Sequence, residues 1–189
     1  MPSRRSLSRS LVVSELLPEF PYHPDPLATG SVVPSAAVCA CCERQRGYLC
    51  TGPVHTPADL DDRLCPWCIA DGSAAERYGV SFTGGIDGDV ADAVWLTVDS
   101  RTPGFSSWQQ DQWLAHCGDA AAFLGVVGAA ELVEFPDVVE TLRQEASGWD
   151  WPPQNVEHYL ASLDKDGQPT AYLFRCRVCA THLAYSDFT

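Results

Sequence analysis

Three CxxC pairs among nine cysteines constrain this chain more than any other feature of its sequence. The pairs are Cys39 with Cys42, Cys65 with Cys68, and Cys176 with Cys179. Two cysteines that are separated by two residues can bind the same tetrahedral metal ion. An odd number of cysteines argues against a complete set of disulfides and favours a reducing compartment. We therefore expect a cytoplasmic metal-binding protein.

The first two pairs have the spacing C-x2-C-x22-C-x2-C, which is typical of two knuckles that share one zinc ion. We predict that Cys39, Cys42, Cys65 and Cys68 bind Zn²⁺ together. The first pair is expected in a strand–turn–strand over residues 38–48. The second pair is expected at the start of a helix, as in a treble-clef finger, where exposed N–H groups stabilise thiolates.

Two other cysteines lie close to this set. Cys41 competes with Cys39 and Cys42 as a ligand, and the two-residue spacer favours Cys39 with Cys42. Cys50 has no partner at a useful spacing, so we predict a small apolar residue or a free thiol there.

The third pair, Cys176 and Cys179, needs two further ligands to close a site. The distant candidates are His116 and Cys117, and His182 is a local rival to His116. Cys117, Cys176 and Cys179 with one histidine would form a second zinc site. The alternative is a reduced dithiol turn beside a buried Cys117. The sequence therefore predicts one zinc ion or two.

Two enzymatic alternatives compete with a structural metal. Cys65-Pro-Trp-Cys68 also fits a thiol–disulfide oxidoreductase, which presents a proline-containing CxxC at a helix start after a buried strand. Here the preceding segment, residues 59–63, is too charged for a central strand. A zinc-dependent hydrolase would hold its metal with three protein ligands and a water. We predict a non-enzymatic protein without catalytic residues.

The charge of the chain is concentrated in its middle. Residues 59–150 contain 17 acidic residues and four arginines, and the whole chain has a net charge of −13. Such a surface repels nucleic-acid phosphates, so direct DNA or RNA binding is disfavoured. It favours a basic protein partner, or it serves only solubility. No stretch approaches the roughly 20 apolar residues of a membrane span.

The expected fold class is α+β. We predict a disordered basic leader over residues 1–16 and one zinc-binding domain over residues 17–189, with short strands, cysteine hairpins and several helices. The proline-rich residues 17–34 should run along a surface without a helix, with His23 against the core. The predicted helices cover residues 66–78, 90–98, 108–116, 136–146 and 155–163. The predicted strands cover residues 170–175 and 182–188, and residues 120–127 fit either a strand or a helix.

Several blocks of the sequence together carry a resemblance to a known family. The blocks are Leu17-Pro-Glu-Phe20, Tyr22-His-Pro-Asp-Pro26, Thr29-Gly30, Cys39-x2-Cys42, Arg46-Gly47, Thr51-Gly-Pro53, Leu64-Cys-Pro-Trp-Cys-Ile-Ala-Asp-Gly-Ser-Ala-Ala75, Arg101-Thr-Pro-Gly104, Trp108-Gln-Gln110, His116-Cys-Gly-Asp119 and Tyr172-Leu-Phe-Arg-Cys176 with Cys179. From about residue 17 to residue 188, the chain resembles the bacterial CbrC family.

The resemblance implies an intracellular bacterial protein that is associated with tolerance to a nuclease colicin. It implies no biochemical mechanism. The chain departs from the family pattern at two positions, since Glu43 and Ala180 stand where the family usually has glycine after the first and third CxxC pairs. Glycine at such a position relieves a left-handed backbone.

Overall fold

The computed structural model describes residues 15–188 as a mixed α+β domain with small sheets and short helices. The strands are β1 (Val32–Pro34), β2 (Tyr48–Cys50), β3 (Ile86–Asp87), β4 (Trp113–His116), β5 (Asp119–Ala120), β6 (Ala122–Val127), β7 (Thr170–Arg175) and β8 (His182–Asp187). The helices are α1 (Pro66–Ala70), α2 (Ser73–Tyr78), α3 (Asp92–Arg101), α4 (Ala129–Leu132), α5 (Pro136–Ser147) and α6 (Pro153–Ala161).

The strands form three small sheets. β1 pairs with β2, and β3, β4 and β5 form a second sheet in that order. The third sheet has the order β6–β7–β8 and is antiparallel throughout. Its central strand, β7, is buried over residues 170–174, which explains its continuous run of apolar and aromatic residues.

The core consists of three clusters of apolar side chains. The first packs residues between Phe20 and Phe82 around the first two cysteine pairs. The second packs α5 and α6 against the third sheet. The third is aromatic and joins the second and third sheets through Trp113, Phe123 and Phe174.

Most of the predicted helices and strands are present. The helical segment over residues 66–78 consists of two short helices, α1 and α2, and α1 begins at Pro66 as its missing N–H allows. α3, α5, α6, β7 and β8 overlap their predicted segments. Residues 122–127 form a strand, which resolves the ambiguity of that apolar run. His23 is fully buried, as expected of a core residue.

Two local predictions are wrong. Residues 108–116 do not form a helix, because Trp113–His116 instead pairs with β3 on one side and β5 on the other. Residues 38–48 do not contain two strands around the cysteines. The first CxxC lies in an irregular turn, and the flanking strands are β1 and β2. In the first of these two segments tertiary pairing outweighs local propensity.

The N-terminal leader falls mostly outside the described residues, which begin at Glu15. Glu15 itself accepts hydrogen bonds from Arg44 (2.9 Å) and Arg46 (2.7 Å), and the Leu16 carbonyl accepts one from the Trp67 indole. These contacts attach the end of the predicted leader to the domain beside the first CxxC. None of the helices in residues 15–188 is long and apolar enough to cross a membrane.

Candidate metal centres

Within residues 15–188, two groups of cysteine and histidine side chains converge closely enough to hold a metal ion. The first group is Cys39, Cys42, Cys65 and Cys68, whose four sulfur atoms all lie within 4.8 Å of one another. Cys39 Sγ lies 3.9 Å from Cys68 Sγ, and Cys42 Sγ lies 3.8 Å from Cys65 Sγ. Residues from two distant segments therefore form one compact ligand set.

The first CxxC is shaped by a tight backbone turn. The Cys39 N–H donates to the Arg44 carbonyl (3.0 Å), and the Glu43 N–H donates to the Cys39 carbonyl (2.9 Å). Glu43 has φ = 57°, in the left-handed region. Glycine adopts such a conformation without strain, so Glu43 occupies a position that favours glycine. The turn places the Cys39 and Cys42 side chains on one side of the backbone.

The second CxxC enters the same group from the start of α1. The Cys65 N–H donates to Cys39 Sγ (3.3 Å), and the Cys41 N–H donates to the same sulfur (3.4 Å). The Cys65 thiol, together with backbone N–H groups and against the opposing effect of burial, lowers the pKa of Cys39 to about 4. A thiolate at Cys39 is the form that binds a metal ion.

The first group is enclosed by protein. Cys39, Cys65 and Cys68 are buried, and Cys42 is partly buried. Leu64 and Ile69 are fully buried beside them in the first core cluster. The environment is therefore dry, and the ligands are held by packing as well as by hydrogen bonds.

The remaining two cysteines of this region lie outside the group. Cys41 Sγ is 3.7 Å from the Ser73 hydroxyl, whereas Cys39 and Cys42 both lie in the group. Cys50 is buried in the first core cluster, and desolvation raises the pKa of its thiol. It is an apolar core residue in its protonated form.

The second group is His116, Cys117, Cys176 and Cys179, whose ligand atoms also lie within 4.8 Å of one another. His116 Nδ1 lies 3.2 Å from Cys117 Sγ and 3.4 Å from Cys179 Sγ. The rival histidine, His182, is not in the group, and its ring packs against Phe135 at 4.7 Å.

Two hairpin turns bring the second group together. Cys117 and Gly118 have φ of 55° and 73°, so β4 and β5 are joined by a two-residue turn with positive φ at both central residues. The third CxxC lies in the turn between β7 and β8. It repeats the hydrogen bonds of the first turn: the Cys176 N–H donates to the Thr181 carbonyl (2.8 Å), and the Ala180 N–H donates to the Cys176 carbonyl (3.0 Å).

Ala180 has φ = 64° and matches Glu43 in the first turn. The two CxxC turns therefore have the same pattern of backbone hydrogen bonds and a left-handed residue at the same position, although that residue is not glycine in either turn. The Thr181 hydroxyl and backbone N–H lower the pKa of Cys179, which favours its thiolate form. Cys117 and Cys179 are exposed, and Cys176 is buried.

A comparison with protein-family models identifies the family of the chain. The model of one family matches residues 17–188, which is nearly the whole chain. This chain belongs to the uncharacterised protein family UPF0167. UPF0167 proteins of Mycobacterium bovis and Mycobacterium tuberculosis are each 51% identical to it over 175 residues, covering 91% of this chain and 94% of the relative. One of Pseudomonas aeruginosa is 42% identical over 177 residues, covering 92% and 98%. No solved structure matches the chain.

In this UPF0167 protein, the structure also shows a contributor to the first centre that cysteine spacing did not reveal. The Arg46 guanidinium stacks over the Trp67 ring at 4.2 Å, and Trp67 stands between the two cysteines of the second CxxC. Against the opposing effect of burial, the Glu15 carboxylate and, after it, Cys65 and Cys42 raise the pKa of Arg46. Only the fold brings residue 46 to residue 67, so the sequence carries no local signal for this contact.

Proposed function

We propose that this UPF0167 protein is a zinc-binding protein whose first centre, Cys39, Cys42, Cys65 and Cys68, holds a structural zinc ion. The observation that carries the proposal is the spacing of the sulfur atoms. With Zn–S bonds of about 2.3 Å, two ligands of a tetrahedral zinc lie about 3.8 Å apart. The two measured sulfur pairs are 3.8 and 3.9 Å apart.

Zinc is the metal that best suits these ligands. Four thiolates in a tetrahedral arrangement select zinc or iron–sulfur chemistry, and a closed set of four cysteines with CxxC spacing is typical of structural zinc. Because all four positions are protein ligands, no coordination position remains for a water or substrate. Zinc bound there stabilises the fold by joining the turn at residues 39–42 to the start of α1.

The same geometry argues against both enzymatic alternatives at this centre. An oxidoreductase must bring its attacking sulfur to a substrate disulfide, whereas Cys65 and Cys68 are buried. The segment before Cys65 contains no strand within the described residues 51–64, so the expected lead-in of a thioredoxin-like site is absent there. A hydrolytic zinc needs an open position, which a set of four sulfurs does not leave.

The number of zinc ions bound per chain tests this proposal. Native mass spectrometry of the purified protein is expected to show bound zinc, and Cys65→Ser is expected to lose the equivalent held by the first centre and to lower stability. Cys50→Ala removes a buried cysteine outside the group, so it should keep the full zinc content. Protein that carries no zinc after purification without chelators, and that binds none on addition, would overturn the proposal.

We also propose that the protein acts in the cytoplasm by binding a basic protein. The support is a groove of about 640 Å³ between α5, β4 and β8, lined by Asp87, Glu145 and Asp187. Among the described residues that line it, none is a lysine or an arginine. Desolvation and then the charge of Asp87 raise the pKa of Glu145, so the two carboxylates would gain from a cation between them.

The CbrC resemblance supports a more specific partner, a nuclease bacteriocin, to which binding would confer tolerance. Nuclease toxins contact nucleic-acid phosphates and therefore carry basic surfaces. An acidic protein is steered to such a surface by long-range attraction. The same negative field disfavours direct binding of nucleic acid.

The partner is tested with a labelled oligo-lysine peptide and with the purified nuclease domain of a bacteriocin, by fluorescence anisotropy. The variant Asp87→Asn/Glu145→Gln should bind both probes more weakly than the wild type, and salt should weaken binding. The matched control Asp59→Asn/Asp61→Asn removes the same charge from an exposed loop. Equal weakening in the control would reject the groove, and salt-independent binding would reject electrostatic capture.

A further inference from the structure

We infer that the second centre, His116, Cys117, Cys176 and Cys179, is an exchangeable zinc site, while the first centre retains its zinc. The inference rests on the proposed function, because it takes zinc as the metal of both centres. It adds that the two sites differ in how fast they release zinc, a difference that cysteine spacing alone does not reveal.

The first argument is exposure of the ligands. An incoming donor atom must approach a bound zinc before a protein ligand leaves, so access to the ligand atoms controls exchange. At the second centre Cys117 and Cys179 are exposed and His116 is partly exposed. At the first centre three of the four sulfurs are buried in an apolar cluster. A chelator in solvent therefore reaches one centre and not the other.

The second argument is how the ligands are held. Cys39 Sγ accepts two backbone N–H groups from neighbouring turns, so it stays in place. At the second centre Cys117 stands at the tip of the β4–β5 turn, with an exposed side chain. A ligand at an exposed hairpin tip can leave the metal without disturbing the core.

The third argument concerns the donor set. A zinc with bonds of about 2.05 Å to nitrogen and about 2.3 Å to sulfur separates these ligands by about 3.6 Å. His116 Nδ1 lies 3.2 and 3.4 Å from its two nearest sulfurs, so the ligands fit after spreading by a few tenths of an ångström. One imidazole replaces one thiolate, which leaves less negative charge to hold Zn²⁺ than in the first centre.

Exchange at this position would affect how two parts of the fold are joined. The second centre connects the β4–β5 turn with the β7–β8 turn, which lie in different sheets. Both sheets also share the aromatic cluster of Trp113, Phe123 and Phe174. The domain therefore keeps its core when this zinc leaves, and the two turns lose one of their connections while the Arg177–Asp119 ion pair (2.9 Å) remains.

The experiment follows zinc release from the zinc-loaded full chain into a chromogenic chelator. The wild type should hold two zinc equivalents and release one in a fast phase and one in a slow phase. Cys117→Ser should hold one equivalent and show only the slow phase. Cys41→Ser, a variant of a cysteine outside both groups, should behave like the wild type.

A second measurement covers the case in which a variant fails to fold. Brief alkylation of the zinc-loaded wild type, read by peptide mass spectrometry, should label Cys117 and Cys179 before any cysteine of the first centre. Two equivalents released at one rate, or equal labelling of both groups, would overturn the inference. One equivalent that Cys65→Ser removes would also overturn it while the proposed function stands. Zinc-free protein would overturn the proposed function itself.

Discussion

A buried histidine that belongs to neither candidate metal centre makes the stability of this protein depend on pH. The His23 ring packs edge-on against Phe123 (5.1 Å) within the aromatic cluster. Its Nδ1 lies 2.8 Å from the Pro103 carbonyl oxygen, which can only accept, so Nδ1 carries the proton of the neutral ring. Nε2 lies 2.6 Å from the Thr29 hydroxyl and accepts from it. Both nitrogens are satisfied while the ring is neutral.

Burial lowers the pKa of His23 from its ordinary value of 6.5 to about 4. Between these two values the unfolded chain binds a proton that the folded protein does not bind. The free energy of unfolding therefore falls as the pH falls, because protonation favours the unfolded chain. The pKa difference corresponds to a loss of about 3 kcal/mol once the pH is below both values. Between pH 7 and pH 5 the expected loss is about 2 kcal/mol.

The assay is urea unfolding of zinc-loaded protein at pH 7 and pH 5. His23→Asn keeps a donor towards Pro103 but cannot take up a proton, so its stability should fall by about 2 kcal/mol less than that of the wild type over this range. Both proteins have the same candidate metal ligands, so the pH dependence of metal binding cancels in the difference. The exposed His158→Asn is the control and should follow the wild type. Equal slopes for the wild type and His23→Asn would refute the reasoning.

Two further predictions concern the backbone and a buried carboxylate. Ala180→Gly relieves a left-handed alanine (φ = 64°) and should raise the free energy of unfolding by about 0.5–1 kcal/mol. The control Ala36→Gly, at an exposed position without positive φ, should not raise it. A loss of stability in Ala180→Gly would contradict the geometry of the knuckle. Asp111 is buried and accepts hydrogen bonds from the Thr83 hydroxyl (3.0 Å) and the Gly84 N–H (2.7 Å). Asp111→Ala should therefore lower the free energy of unfolding, measured in urea, by about 2–3 kcal/mol. The exposed Asp61→Ala should leave it almost unchanged. Equal costs for the two aspartates would refute the second expectation.

The sequence identified the cysteine pairs of the candidate centres, but it did not identify the residues and strands around them. CxxC spacing depends on local geometry, so it identifies which two sulfurs can share a metal. The convergence of Cys117 with Cys176 and Cys179 depends on how two hairpins from different sheets are placed, and the sequence left it open. The same holds for His116 and His182: in the fold His116 lies beside these cysteines, and the His182 ring packs against Phe135.

The wrong helix over residues 108–116 has a comparable cause. The segment has no proline or glycine to interrupt a helix, so its local composition allowed one. Trp113 is fully buried, and its indole N–H donates to the Ala121 carbonyl (2.8 Å). That bond and the pairing with β3 and β5 hold the segment extended, and these partners all lie outside residues 108–116. In contrast, α1, α5 and α6 each begin at a proline, a signal that is local and was therefore visible.

The first core cluster takes every one of its side chains from residues 17–82, the stretch that also supplies the four sulfurs of the first centre. Chains of fewer than about 70–80 residues seldom bury enough apolar surface to fold unaided and commonly depend on a metal or disulfides. This stretch has both a core and a candidate metal centre of its own. It is therefore close to a folding module in its own right, and Tyr22 and His23 anchor it to the aromatic cluster of the remaining domain.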